Sequence, residues 1–248
     1  MARAPHDHGN LDQSDAPTGA SGAMLPDPLP ADPFPLFRQW FDLAQQRKDQ
    51  PNPNAMTLAT VGADGRPDAR IVLCKDIDEP SGHIVFHTNE RGRKGRELTA
   101  HPHVAVVFHW DHLDRQVRIE GPVCRSPASE SDAYFASRAL LSRLGAWSSD
   151  QSEPIASRNA LVEKLHATMR RFGLDPAALP ERDISVAIPR PAHWGGFRVY
   201  AARVELWCAG AGRLHDCAAW TRSLRPATDS QGPSFVGAGP WSATRLQP

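Results

Sequence analysis

The sequence predicts a mainly β fold with added helices (α+β), closed or nearly closed into an antiparallel barrel. Three observations lead there. Short apolar segments of strand length recur through the middle of the chain, several joined by short turns. Segments with helical spacing are inserted among them. No internal repeat is present, and one domain is the better reading of 248 residues.

The elements follow in order. Residues 1–28 are rich in Gly, Ala, Ser, Asp and Pro and read as a flexible N-terminal tail, leaving 29–248 as the folded domain. Asp32-Pro33 reads as an N-cap followed by proline at the first helical position. Phe37, Trp40, Phe41 and Ala44 then keep helical spacing to about Lys48. Ala55–Val61 and Ala69–Lys75 read as a hairpin around Ala63-Asp64-Gly65-Arg66, and His83–Thr88 as a third strand. Arg91–Ala100 has the character of a short helix, and Val104–Trp110 and Gln116–Cys124 that of two more strands. Residues 127–138 and 154–172 are helical in pattern. The Pro-rich connector 188–193 precedes one long strand, Gly196–Cys208. Leu214–Arg222 and Trp241–Leu246 form a last hairpin across a long loop, about 223–240. The helices are expected to cover the barrel rather than to form a core of their own.

Composition narrows the function. Lys plus Arg and Asp plus Glu both number 28, so bulk charge gives no reason to expect nucleic-acid binding. No segment approaches the roughly 18 apolar residues of a membrane span, and the N-terminus lacks a signal-peptide core. Cys74, Cys124, Cys208 and Cys217 contain no CxxC pair, which argues against structural zinc and a disulfide framework and for a reducing cytoplasm. His101/His103 and His109/His112 have no carboxylate or cysteine companion of recognised ligand spacing, so no metal is expected.

Several segments carry chemistry when read together. In RIVLCK, alternation puts Arg70, Val72 and Cys74 on one strand face and Ile71, Leu73 and Lys75 on the other, so two cations reach different anions; by itself the segment also reads as two solvated strand ends. RGRKGR, Arg91 to Arg96, leads into a helix, where backbone N–H groups with Arg93 and Lys94 suit a phosphate. A solvated basic face is the other reading. Gln116 at a strand start offers amide hydrogen bonds to a heterocycle. Tyr134 and Arg138 are four apart on one helix face, with Ser142 one turn on, a phosphate cradle or an ordinary amphipathic helix. Trp194 stands beside Gly195 and Gly196, where backbone can approach a flat ligand. Arg213 and His215 share a face if RLHD is a strand, and would hold an anion or move a proton.

In order and spacing, LPADPFPLF, RIVLCK, FHTN, GRKGREL, RQVRIEG, YFASR, LGAWSSDQS, WGGFRV, RLHD and the terminal RLQP resemble the pyridoxamine 5′-phosphate oxidase family across about residues 29–248. The resemblance implies an FMN-binding split β-barrel and a homodimer with FMN at the interface. It implies oxidation of pyridoxamine 5′-phosphate or pyridoxine 5′-phosphate to pyridoxal 5′-phosphate, with O2 as acceptor and H2O2 as product. By motif, Arg70, Ile71, Val72, Leu73, Cys74 and Lys75 line FMN, as do His87, Thr88, Arg93, Lys94, Gln116, Gln151, Ser152 and Trp194. Lys75, Tyr134, Arg138 and Ser142 hold the substrate phosphate, and Arg213, Leu214 and His215 lie against the substrate ring, Arg213 and His215 as the catalytic pair.

Three features depart from the family pattern. Cys217 follows RLHD where a second, FMN-binding arginine is usual. His87 stands where tyrosine is common. Residues 1–28 hold only Arg3 as a cation and no tyrosine, so the usual basic lid over the substrate is missing. Two other readings fit the same scaffold: an oxidase of another aromatic substrate such as a phenazine precursor, and a non-enzymatic flavin- or haem-binding protein. A binding module needs neither the RLH pair nor a second phosphate cradle.

Overall fold

The computed structural model describes residues 24–177 and 186–248. The predicted N-terminal helix is α1, Phe34–Arg47. Its N-cap position is Pro33, one residue later than expected, yet the Asp32 carboxylate still accepts the Phe34 N–H at 2.9 Å. Phe34, Phe37, Trp40 and Ala44 are buried, as their spacing requires. Of the residues read as a tail, 1–23 lie outside the described residues. Order reaches back beyond Asp32: Leu25 is buried, and its N–H donates to Asp216 at 2.7 Å.

Strands β1 (Ala55–Val61) and β2 (Pro67–Leu73) form the expected hairpin, pairing Ala55 with Leu73 through Val61 with Pro67. A short strand that the sequence reading missed, β3 (Asp76–Asp78), pairs with β4 (His83–Asn89). Helix α2 (Arg93–Ala100) leads to β5 (His103–Trp110) and the long β6 (Arg115–Arg125).

The expected long strand at 196–208 is broken. β7 (Trp194–Tyr200) pairs with β4 and the end of β6, whereas β8 (Arg203–Cys208) pairs with the start of β6 and with β9 (Asp216–Thr221). At the break, the Ala201 and Ala202 N–H groups donate to Gly82 and Glu120 carbonyls, so the chain crosses between strand partners with its donors satisfied. A Cβ on Gly121 would lie 1.9 Å from the Tyr200 carbonyl oxygen. Only glycine lets β6 approach the crossing this closely.

The main sheet runs β12-β9-β8-β6-β5-β1-β2, with β12 (Ser242–Leu246) on β9 as predicted. β3, β4 and β7 join through β6, which gives the antiparallel sheet its split-barrel form. The predicted loop at 223–240 is instead a hairpin of β10 (Leu224–Asp229) and β11 (Gly232–Gly237). Its Gly, Ser and Pro content concealed the pairing.

Helices α3 (Ala128–Ser137), α4 (Leu140–Ser148) and α5 (Arg158–Arg171) are not a mere cover. Phe135, Leu144, Met169, Leu174, Ile188 and Trp194 form an apolar cluster of their own, separate from the barrel core in which Phe37 and Phe108 pack at 5.3 Å. Helix α4 was missed in the sequence reading. Among the described residues, no helix is long and apolar enough to cross a membrane.

Candidate active site

A cavity of about 640 Å³ lies between β2, β4, the start of β7 and the helices α3 and α4. Ile71, Val72, Leu73 and Lys75 reach it from β2 and the residues just after it, His87 and Thr88 from β4, and Trp194 from β7. Lys94, Gln151, Tyr134, Arg138 and Ser142 complete the set of sequence-predicted residues that line it. Sequence reasoning overlooked Asn89, Ala139, Gly145, Ala146 and Ser149. The segment LGAWSSDQS carries three of these, and α4 is the element that brings them in.

One wall is a polar cluster. The Lys94 ammonium donates to Gln151 Oε1 at 2.6 Å and to Thr88 Oγ1 at 3.1 Å, and the Thr88 hydroxyl donates to Gln151 Oε1 at 3.2 Å. Burial, reinforced by the nearby Arg70 charge, pulls the Lys94 pKa down, so an incoming anion would relieve an unfavourable position. Arg93 and Lys94 stand at the N-terminus of α2, whose first turn has no acid. Cations there oppose the helix dipole, an arrangement that favours an anion beside them. Gly95 lets this turn form: its Cβ would lie 2.1 Å from the Glu90 carbonyl oxygen.

The second predicted cradle lines the same cavity, but not from one helix face. Helix α3 ends at Ser137, whose hydroxyl donates to the Tyr134 carbonyl at 2.8 Å. Arg138 is extended at φ −74°, ψ 149°, Ala139 likewise, and Ser142 belongs to α4. Tyr134, Arg138 and Ser142 therefore meet around a helix–helix corner. The Lys75 ammonium lies 5.5 Å from the Tyr134 ring centroid, and the Arg138 guanidinium 4.8 Å from that of Trp194. Arg138 Nη1 is buried with no hydrogen-bond partner, and burial lowers the guanidinium's pKa. An anion accepting from it would satisfy an otherwise unmet donor.

His87 lies between the walls. Its ring stacks on Tyr134 at 4.3 Å and on Trp194 at 5.2 Å. Burial, with the charges of Lys75, Arg138 and Arg190, pushes its pKa down to about 4, so the ring is neutral near pH 7. Both ring nitrogens are buried without a partner.

Other predicted residues do not line this cavity. Cys74 is buried, with its thiol pushed up to about 12 by burial. Arg70 and Arg93 are engaged with Asp68 and Glu97. Ser152 is exposed at φ +73° beside Gln151. Gln116, Arg213, Leu214 and His215 belong to a second group. Gln116 is paired with Trp207 across β6 and β8, and Trp207 with Cys217 across β8 and β9, so the three share one sheet face. The Trp207 ring packs 4.7 Å from His215. Trp207 went unremarked in the sequence reading, although its indole stands beside the Gln116 amide on this face. RLHD begins in a turn rather than a strand: Arg213 has φ +64°, and His215 Nδ1 accepts the Gly210 N–H at 3.1 Å. Leu214 is 77% exposed at its tip.

The fold is a split barrel with cationic side chains lining one cavity. In the same class of fold, PhzG from Burkholderia lata 383, solved in complex with tetrahydrophenazine-1-carboxylic acid, superimposes with a TM-score of 0.76 at 26% identity, covering 93% of this chain and 100% of that one. A pyridoxamine 5′-phosphate oxidase-related, FMN binding protein from Nostoc punctiforme PCC 73102 shares the fold at TM-score 0.59 and 15% identity, covering 86% and 96% of the two chains. Residues 43–168 match the family model of pyridoxamine 5′-phosphate oxidase, and 194–248 that of the pyridoxine 5′-phosphate oxidase C-terminal dimerisation region. A pyridoxine/pyridoxamine 5′-phosphate oxidase from Gluconobacter oxydans is 48% identical over 221 residues, 89% of this chain and 96% of that protein. One from Burkholderia multivorans is 48% identical over 217 residues, 88% and 89% of the two chains. The chain belongs to the pyridoxamine 5′-phosphate oxidase family.

Proposed function

We propose that this chain is an FMN-dependent oxidase that converts pyridoxamine 5′-phosphate or pyridoxine 5′-phosphate to pyridoxal 5′-phosphate, with O2 as acceptor and H2O2 as product. The observation that carries this reading is the pairing of two cradles in one cavity. Lys94, Thr88 and Gln151 form one; Lys75, Tyr134, Arg138 and Ser142 form the other. A phosphorylated cofactor and a phosphorylated substrate need two separate anion sites.

The residues fit FMN. The Lys94 cluster, with Arg70 and Arg93 beside it, suits its phosphate, and Ile71 to Leu73 and Trp194 offer apolar surface to a flat ring. When bound, FMN supplies the redox chemistry, taking up a hydride equivalent from the substrate and passing electrons to O2. The protein's part is to bind and orient. Lys75 and Arg138 draw in the substrate phosphate, and the Tyr134 and Ser142 hydroxyls add donors that fix its position. The neutral His87 ring, stacked on Tyr134 and Trp194, adds a flat surface to this wall.

Gln116, Trp207 and the Arg213–His215 turn do not line this chain's cavity. In the proposed homodimer they complete the cavity of a second copy, with Arg213 and His215 over the substrate ring. The match of 194–248 to a dimerisation region supports this arrangement. Sedimentation of FMN-loaded protein as a monomer alone would remove it.

The deciding experiment is anaerobic. Either B6 phosphate should bleach the bound flavin in a single turnover, and oxygen should restore it with peroxide release. If neither does while a chemical reductant does, the substrate is another one. The phenazine acid held by the PhzG neighbour makes an aromatic carboxylate the next candidate to try.

A further inference from the structure

The two arginines assigned by resemblance to the cofactor already hold an anion, and that anion is part of the chain. Asp68 Oδ2 lies 2.6 Å from Arg70 Nη2 and 3.0 Å from Arg93 Nε, so a single carboxylate oxygen bridges both guanidinium groups. Glu97 closes the ring from the other side, with Oε2 at 2.8 Å from Arg70 and Oε1 at 2.9 Å from Arg93. Two cations and two carboxylates cancel, leaving no net charge to attract a phosphate. Lys94, on the cavity wall, feels the charges of Arg70, Glu97 and Asp68, so the ring borders the cavity electrostatically.

The two carboxylates are not equivalent. Glu97 is 6% exposed and also accepts the Thr60 hydroxyl at 2.6 Å, so it is a fixed part of the fold. Burial raises its pKa, but hydrogen bonds from Thr60, Arg93 and Arg70 outweigh that and hold it ionised. Asp68 is 26% exposed and sits on β2, the edge strand of the main sheet. Its other oxygen accepts the N–H of its neighbour Ala69, at 2.9 Å. Ion pairs this exposed are weak and exchange readily with other anions.

We propose that Asp68 is an internal stand-in for the cofactor phosphate: it occupies the bridging position between Arg70 and Arg93, is displaced when a phosphate arrives, and so sets the affinity for FMN. This rests on the FMN reading above. Asp68 is a specificity-setting residue rather than a catalytic one. It weakens every anion at this position and leaves the binding of the uncharged ring alone.

The test is a flavin-fluorescence titration of apoprotein with FMN and with riboflavin, which lacks the phosphate. Asp68→Asn and Asp68→Ala should each lower the Kd for FMN about three- to tenfold at low ionic strength, with the gain shrinking as salt is added. Riboflavin affinity should stay unchanged. Asp64→Asn removes the same charge from the same hairpin, from a residue ion-paired with the exposed Arg66 and the weakest of the charges acting on Arg93, and should leave FMN affinity within twofold. Unchanged or weaker FMN binding in both Asp68 variants overturns the proposal, as does an equal gain in Asp64→Asn or for riboflavin. If no form of the protein binds FMN, the cofactor reading falls and this inference with it. If all bind it equally, only the inference falls.

Discussion

The His87 imidazole stacks on the Tyr134 ring, centroid to centroid 4.3 Å with the planes 29° apart, and its nitrogens reach no partner. An aromatic hydrocarbon would pack there without unmet polar atoms. The imidazole also gives the cavity wall a titratable group that the folded protein keeps neutral.

That relationship sets an acid limb for stability. The folded pKa of His87, about 4, lies below the ordinary histidine value of 6.5, so the unfolded chain binds the proton first as pH falls. The stability tied to the neutral ring is fully present above pH 6.5 and is lost progressively down to about pH 4, on the order of 2 kcal/mol for a partly exposed ring. His87→Phe should flatten this limb. It should also stabilise the apoprotein at pH 7 by about 1 kcal/mol through removal of unsatisfied atoms. Denaturant midpoints at pH 7 and pH 5 check this; parallel curves for the two proteins would contradict it.

Arg138 should separate substrate binding from cofactor binding. Its Nη1 is buried and unpartnered, and its guanidinium lies over Trp194 and Phe135, so Arg138→Ala loses that stacking and should cost about 1 kcal/mol of stability. Loss of a charge-assisted bond to phosphate, about 1.5–3 kcal/mol, predicts a KM for pyridoxamine 5′-phosphate raised about ten- to hundredfold. FMN affinity should change less than twofold. A parallel loss of FMN would mean that the two cradles are one.

Cys217 shares a sheet face with Gln116 and Trp207, and burial pushes its thiol up to about 11. Cys217→Arg should tighten FMN if this face meets the cofactor in the dimer, since a cation is added beside Gln116 and Trp207. Fluorescence titration reads the result. An unchanged Kd would show that the cysteine is no deficit.

Gly121→Ala tests the strand crossing. The added methyl meets the Tyr200 carbonyl oxygen, a backbone atom that cannot swing aside. The crossing must shift or open, so a loss of about 3 kcal/mol is expected in equilibrium unfolding. A variant as stable as wild type would mean that the close approach is not required.

Local patterns determined much of this protein from the sequence alone. The α1 stripe of Phe37, Trp40 and Ala44 and the hairpin of β1 and β2 came from periodicity and turn residues, because both depend on neighbours within a few positions. The ordered motifs identified the family and most of the residues lining the cavity. Tertiary structure decided the rest. That the segment read as one strand, 196–208, belongs to two depends on where β6 and Gly82 lie, and periodicity is blind to both. The corner at Arg138 replaced a presumed helix face because its extended backbone, and not residue spacing, aims the guanidinium. Asp68 pairs with Arg70 along β2 and Glu97 with Arg93 along α2, but the cross pairs Asp68–Arg93 and Glu97–Arg70 form only when the fold brings the two elements together. Charge neutralisation acts through space, so no reading of RGRKGR by itself can tell a free basic patch from one already filled.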